Sequence, residues 1–408
     1  FLIIMPLPIL TLEYSVGSAS KLSIAKGYRT LEKPGQKWHL HAIIGIAGNY
    51  LLMMYYTIVT GWMLDYFYKM MTGKFVGADT AGVEQIFNNM LGNPGELTFW
   101  MILVVVLGFG ICSLGLQKGV EKITKWMMIA LIGIIMLLAV KSITLPGGME
   151  GLKFYLVPNL DTVREVGLGN VIVAAMNQSF FTLSIGIGAM QIFGSYLDRK
   201  RTLLGETLIV EALDTFVAIF SGLIIFPACF AFGVEADSGP NLIFITLPNV
   251  FNSMAGGRIW GSLFFIFMTF AAMSTIIAVF ENIISFAMDS FGWSRKKATA
   301  VNMILVAVLS MPCVLGYNLW SAFEPLKEGN TILDLEDFLV SNILLPLGSI
   351  IYILFCTSRY GWGWDKFIKE ANLGDGPKFP RKLRFYCAYI LPLFAAAILI
   401  YGLVTYFA

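Results

Sequence analysis

Residues 169–198 read GNVIVAAMNQSFFTLSIGIGAMQIFGSYLD, and the folding of this stretch decides the architecture of the chain. It is apolar at both ends and long enough to cross a bilayer. At its centre, however, Asn177, Gln178, Ser179, Thr182 and Ser184 lead into Gly186 and Gly188. Glycine costs about 1 kcal/mol relative to alanine in a helix interior, and unwound backbone at membrane depth survives only where protein or a watery cavity satisfies it. Two readings follow: a glycine-mediated helix-packing face, or a helix that unwinds in mid-membrane to form a binding segment.

The rest of the chain is of the same character. Of 408 residues, 57% are hydrophobic and only 13% charged, and the mean hydropathy is +0.75, which excludes a water-soluble domain. A bilayer core about 30 Å thick needs roughly 20 apolar residues in a helix. Such stretches recur at 1–17, 40–71, 97–116, 123–144, 168–197, 203–232, 258–290, 297–318, 336–358 and 383–407. They make an all-α polytopic membrane protein, a single transmembrane domain over 1–408. The outer connection 233–257 holds LIFITLPNVFNSM, too short to span and read as a re-entrant or lid helix, and the outer loop 72–96 has room for another short helix.

Charge sets the direction. Three-quarters of the 28 Lys and Arg fall in alternate loops: Lys21 to Lys37, Lys118 to Lys125, Arg199 to Arg201, Arg295 to Lys297, and Arg359 to Arg384. The opposite loops carry acids such as Asp79, Glu84, Glu96, Glu235, Asp237, Glu324, Glu328 and Asp334. Basic loops stay in the cytoplasm, so Phe1 and the C-terminus are expected at the outer face. A net charge of +2 gives no reason to expect nucleic acid as a partner. The five cysteines are scattered through apolar runs, as reduced thiols would be. His39 and His41, beside Trp38 with no other ligand at metal spacing, read as structural or interfacial. No Walker loop, GxSxG or HExxH is present, which disfavours an enzyme.

Four spans precede the broken one, four follow it, and one trails behind. Secondary transporters are often built from two inverted repeats, each giving one discontinuous helix to a midplane site. The second repeat is then 168–358, the trailing helix 383–407, and 1–144 an incomplete first repeat. Its discontinuous helix is expected immediately before Phe1, where the chain starts inside an apolar run short for a span.

A carboxylate at membrane depth is a functional candidate by default. Asp214, with apolar residues on both sides, is the best case: it serves either an ion pair inside the bundle or a cation. Glu281, past the middle of its span, fits a helix–helix hydrogen bond better. Ser274 and Thr275 follow Ala271 by one turn, a pattern that is either small-residue packing or an oxygen cage of one carbonyl and two hydroxyls suited to Na+. Tyr55 and Tyr56 lie mid-span, where a phenol must find a polar partner, a helix carbonyl or a ligand carboxylate.

Several segments together resemble the neurotransmitter:sodium symporter family, particularly its bacterial amino-acid transporters. They include AGNYLLMMYYTIVTGWMLDY, SITLPGGMEGLKFYLVPN, NQSFFTLSIGIGAMQIFGSY, LDTFVAIFSGLIIFPA, GPNLIFITLPNVF and LDLEDFLVSNILLPLG, in the family's order and over nearly the whole chain. The resemblance implies the inverted-repeat fold of the bacterial leucine transporter, with the visible spans as family helices two to eleven. It implies that Tyr56 binds the substrate carboxylate, that Leu52, Phe181, Thr182, Ser184, Ile187 and Val279 line the pocket, and that Phe181 closes over the substrate. One sodium site would use Thr182 and Asp214, the other Ala271, Ser274 and Thr275, and Asp337 would be the acidic half of an outer gate. Asp214 stands where animal members have asparagine, which implies independence from chloride, and Ser18 stands where an arginine is usual.

The expected function is sodium-coupled amino-acid symport by alternating access, for hydrophobic or aromatic L-amino acids, in a bacterial cytoplasmic membrane. The partners are then an amino acid as small-molecule substrate, sodium ions and the lipid bilayer. The alternatives are a non-transporting amino-acid sensor or channel on the same scaffold, and an inactive truncated transporter.

Overall fold

A computed structural model describes residues 1–115, 120–234 and 239–407. Lys118, Glu235 and Asp237, used above in the charge pattern, lie outside the described residues. Among the described residues, eight helical segments are long and apolar enough to cross a membrane. The other two expected spans are a 15-residue first helix and the broken pair.

The chain begins with α1 (Pro6–Ser20) and the short amphipathic α2 (Ile24–Leu31), then α3 (His41–Thr72), which a left-handed Gly73 ends. In the outer loop α4 (Thr80–Leu91) starts where Asp79 accepts from the Gly82 N–H, and α5 (Pro94–Ser113) where Asn93 caps the Gly95 and Glu96 N–H groups. Next come α6 (Lys122–Ile143), α7 (Gly148–Leu156) and α8 (Leu160–Val166). The decisive stretch forms α9 (Leu168–Phe181) and α10 (Ala189–Tyr196), separated by a non-helical link. After α11 (Leu203–Ala231), the outer connection holds α12 (Gly239–Asn241), a π-helical turn (Leu242–Thr246) and α13 (Leu247–Ser253). The last part contains α14 (Gly257–Phe291), α15 (Arg295–Leu309), α16 (Met311–Gly316) and α17 (Ile332–Phe338). A π-helical turn at Leu339–Leu344 leads into α18 (Leu345–Thr357), followed by α19 (Trp364–Ala371) and α20 (Leu391–Phe407).

The core runs between α3 and α14. At 32 and 35 residues and 1.5 Å per residue they are about 50 Å long, well beyond the hydrocarbon thickness. They lie along one another, and Asn282 on α14 donates to the Asn49 side chain on α3 at 3.1 Å. The α1–α10 crossing is tighter still: a Cβ on Gly17 would lie 1.9 Å from the Gln191 carbonyl oxygen, and one on Gly194 2.5 Å from that of Tyr14. Only hydrogen at both positions permits that approach.

The outward faces of α5, α6, α11 and α20 expose Ile102, Val106, Met136, Val140, Ile209, Leu393 and Ile400, as lipid-facing helices should. Both expected outer-loop helices are present, and aromatics fix them over the bundle. Phe244 from the long connection and Phe87 from α4 stack at 5.5 Å, and both meet Trp62 and Tyr66 of α3 edge-on.

Candidate functional site

The link between α9 and α10 is held open by backbone geometry. Ser184 has φ +46°, Gly186 +104° and Gly188 +79°, values an L-residue in a helix does not adopt. A Cβ on Gly186 would meet the Leu345 carbonyl at 2.4 Å and the Ser349 N–H at 2.8 Å. Of the two sequence readings of this stretch, the unwound segment is the one the chain adopts.

Unwinding releases backbone donors and acceptors in a region without water, and side chains from other helices take them up. Glu13 on α1, fully buried, accepts from the N–H groups of Gly186 at 2.9 Å, Met190 at 3.0 Å and Gln191 at 3.2 Å. Two of these are first-turn donors of α10, where a carboxylate also gains from the helix dipole. Asn49 on α3 donates to the Ile187 carbonyl at 2.8 Å. His41, also on α3, bonds the Gly186 carbonyl at 3.1 Å.

Of the expected site residues, Thr182, Ser184 and Ile187 lie in the link itself and Phe181 at the end of α9. The Thr182 hydroxyl donates to both oxygens of Asp214 on α11, at 2.9 and 3.1 Å. Leu52 and Tyr56 are one turn apart on α3, with Leu52 buried. Ile187 is fully buried, its side chain set against Gly48 one turn before Leu52. On α14, Ala271, Thr275 and Val279 recur every fourth residue, and Thr275 faces the Tyr56 hydroxyl. Ser274 donates to the Ala271 carbonyl at 2.7 Å, so the two oxygens expected to share an ion are paired with each other. Among the described residues no hydrogen bond joins this group to Asp214.

On the outer side, Phe181 and Asp337 line one cavity of about 260 Å³ together with Asn177, Gln178 and Ser341. Asp337 accepts from the Tyr55 phenol at 2.9 Å and from Ser341 at 2.8 Å. Phe181 is 38% exposed and borders that space from below. Glu281 does more than the helix–helix hydrogen bond expected of it. Arg295 binds both of its oxygens, and Tyr196 donates to it at 2.8 Å. Ser18 donates to Glu370 at 2.7 Å, and Arg199 bonds both Glu370 and the Ser18 carbonyl.

Glu13 and Asn49 were missed by the sequence reading, and His41, read there as structural or interfacial, was not connected with the link. Glu13 had a signal: in PLPILTLEYSVG it is a lone carboxylate inside an apolar run, the same pattern that singled out Asp214. Nothing local ties His41 to the link, because Gly186 lies 145 residues away.

Residues 80–408 match the sequence profile described as the Sodium:neurotransmitter symporter family. The uncharacterised sodium-dependent transporter YhdH of Bacillus subtilis is 31% identical over 355 residues, which cover 87% of this chain and 77% of that protein. An uncharacterised sodium-dependent transporter of Haemophilus influenzae is 28% identical over 416 residues, covering 98% and 88%. Among solved structures, MhsT in complex with L-phenylalanine superposes with a TM-score of 0.86 at 32% identity, covering 98% of this chain and 89% of that one. A polytopic helical bundle with one span unwound at mid-height, matched in sequence and in fold over most of its length, is an integral membrane protein that belongs to the sodium:neurotransmitter symporter family.

Proposed function

We propose that the protein is a sodium-coupled symporter of hydrophobic or aromatic L-amino acids, working by alternating access in a bacterial cytoplasmic membrane. The observation that carries this reading is the unwound link, with Thr182 bonded to Asp214 on one side and Tyr56 set beside Thr275 on the other. In this reading one sodium ion is held by Thr182 and Asp214, whose hydroxyl and carboxylate are hard oxygen donors. A second is held by the Ala271 carbonyl and the hydroxyls of Ser274 and Thr275, with Ser274 turning from its bond to Ala271 to offer its lone pairs to the ion.

Substrate lies between the link and α3. The Tyr56 phenol donates to its carboxylate, Ser184 borders it in the link, and Leu52, Ile187 and Val279 receive its side chain. Those three walls are apolar and buried, so burial of an aliphatic or aromatic side chain drives affinity. The L-phenylalanine bound to the structural relative MhsT supports the same substrate class. Sodium favours the arrangement open to the outside. Substrate then bridges the link and α3, Phe181 folds over it, and the space between Phe181 and Asp337 closes before the inner side opens. Asp214 carries a fixed negative charge beside the ion, so chloride is not required.

The test is uptake of each of the twenty amino acids into proteoliposomes with and without an inward sodium gradient. Saturable accumulation that follows the gradient supports symport. Flux indifferent to the gradient replaces the carrier with a channel, and binding without accumulation replaces it with a sensor.

A further inference from the structure

Glu13, Asn49 and His41 hold the unwound link without touching sodium or substrate in the reading above, and of the three His41 is the one hydrogen-bonded onward to α2. His41 stands at the start of α3, 2% exposed, at the far end of the helix from the acidic outer loops. Its Nε2 lies 3.1 Å from the Gly186 carbonyl and its Nδ1 2.9 Å from the Tyr28 hydroxyl. Aromatic rings enclose it: Tyr28 and Tyr352 meet the imidazole edge-on at 5.1 and 5.0 Å. Tyr352 donates in turn to Gln191 of α10 at 2.6 Å.

Hydrogen-bond direction fixes the proton. A carbonyl can only accept, so Nε2 carries the hydrogen and Nδ1 is left with its lone pair. Tyr28 must then be the donor to Nδ1. A directed chain results: the Tyr28 phenol to His41, His41 to the Gly186 carbonyl, and the Gly186 N–H on to Glu13. Both faces of the Gly186 residue are thus gripped, at the position where φ is +104°.

Tyr28 belongs to α2, whose start is fixed to the inner end of α14. Asp289 accepts from the backbone N–H of Ser23 at 2.9 Å and from its hydroxyl. The basic-face helix α2 and the mid-membrane link are therefore joined by hydrogen bonds through the His41 imidazole, beside the direct packing of Ile24 against Gly188.

We propose that His41 is a positioning residue for transport, fixing the direction of the Gly186 carbonyl and so the shape of the unwound link, and tying that shape to α2 through Tyr28. The inference rests on the symporter reading for its transport consequence but not for its structural one. With the tether cut, the link relaxes toward continuous helix, and Thr182, Ser184 and Ile187 lose their fixed placement. Binding weakens before turnover does.

Three variants test this in the reconstituted protein. His41→Leu keeps bulk and removes both bonds, His41→Gln keeps an N–H donor near the Nε2 position, and Tyr28→Phe removes the donor to Nδ1 together with that hydroxyl's bond to Tyr352. Each is read by KM and kcat for sodium-driven uptake and by amide hydrogen exchange across residues 183–193. His41→Leu should raise KM about tenfold with kcat less affected, and speed exchange in that segment about tenfold, the effect of one strong buried hydrogen bond lost. His41→Gln should recover most of both, and Tyr28→Phe should change each about threefold. Nitrogen-15 NMR of the histidines should show His41 as the Nε2–H form.

An Nδ1–H tautomer overturns the proposal. So does exchange in His41→Leu that matches the parent, or a His41→Gln variant as impaired as His41→Leu. If His41→Leu fails to fold, the Gln and Phe variants still decide. If the parent accumulates no amino acid, the symporter reading fails while the exchange and NMR results still judge the tether.

Discussion

The continuous helix α14 and the interrupted pair α9–α10 border the same site and satisfy their backbones in opposite ways. Along α14 the helical ladder runs unbroken from Gly257 to Phe291, so the helix offers the proposed site the side chains of Ser274, Thr275 and Val279 and, at Ala271, a carbonyl that stays within the helix. Between α9 and α10 the ladder stops, and the freed groups are taken up by Glu13 on α1 and by His41 and Asn49 on α3. The irregular segment is therefore as fully determined as the helix. Its determination is non-local, and any movement of α1 or α3 is felt there.

The sharpest way to break the contrast is to add the same methyl group to each. Gly186→Ala places a Cβ 2.4 Å from the Leu345 carbonyl at a φ of +104°. Backbone on both sides cannot yield, so a loss of about 3 kcal/mol or more is expected. On α14, Gly261→Ala meets the Met70 sulfur at 2.8 Å, the end of a flexible side chain that can swing aside. Its cost should stay under about 1 kcal/mol. Thermal unfolding in detergent should show little folded Gly186→Ala protein and near-parental Gly261→Ala. Equal behaviour of the two would mean that the link is pliable.

Next in size is the charge beside the link. Asp214→Asn keeps an acceptor for Thr182 and removes the negative charge. Sodium half-saturation for uptake should rise more than tenfold, the loss of one charged ligand being worth above about 1.4 kcal/mol. Chloride should stimulate the variant but not the parent. Unchanged sodium dependence would falsify the ion role assigned to Asp214. Glu13→Gln should come third, lowering stability by about 2 kcal/mol as charge-assisted bonds to three N–H groups become weaker, partly mismatched ones.

How much of this could be read from the sequence follows from the same contrast. Gly186 and Gly188 among polar residues marked the stretch as either a packing face or an interruption, and Asp214 stood out as a carboxylate needing a partner, because lone glycines and carboxylates are costly at membrane depth; only the family resemblance set Asp214 beside Thr182. The spans were readable from length and hydropathy, and both outer-loop helices were present where expected. The tethers of the link were not readable as a set. Asn49 is 138 residues from Ile187, and His41 is 145 from Gly186, so no local pattern joins them. Nor could hydropathy tell that Ser274 bonds Ala271 instead of standing free, since that depends on a rotamer.

A smaller effect is expected from Thr275→Ala. On a continuous helix the loss of one hydroxyl leaves the backbone unmoved, so only the second sodium site and the contact with Tyr56 should suffer. Sodium half-saturation should rise about fivefold, near 1 kcal/mol for one neutral ligand, with stability unchanged within about 0.5 kcal/mol. A fall in stability as large as that of Glu13→Gln would show that α14 is not the independent wall described here.

The finest comparison sets Val279→Ala against Ile187→Val. Both shorten an apolar wall of the proposed pocket, one on the unbroken helix and one in the link. Val279→Ala enlarges the pocket without disturbing what holds α14, so it should shift preference toward bulkier amino acids by about threefold to tenfold in kcat/KM and leave the sodium requirement alone. Ile187→Val removes a single methylene from a side chain wedged against Gly48, and the Ile187 carbonyl is held by Asn49. The loss of packing, about 1 kcal/mol, is shared between the pocket and the anchoring of the link. The sodium requirement should therefore move along with selectivity, by about twofold or threefold, because Thr182 lies in the same link. If both variants alter selectivity alone, the link does not transmit strain between its two ends. The non-local tethers would then serve stability and not the coupling of sodium to substrate.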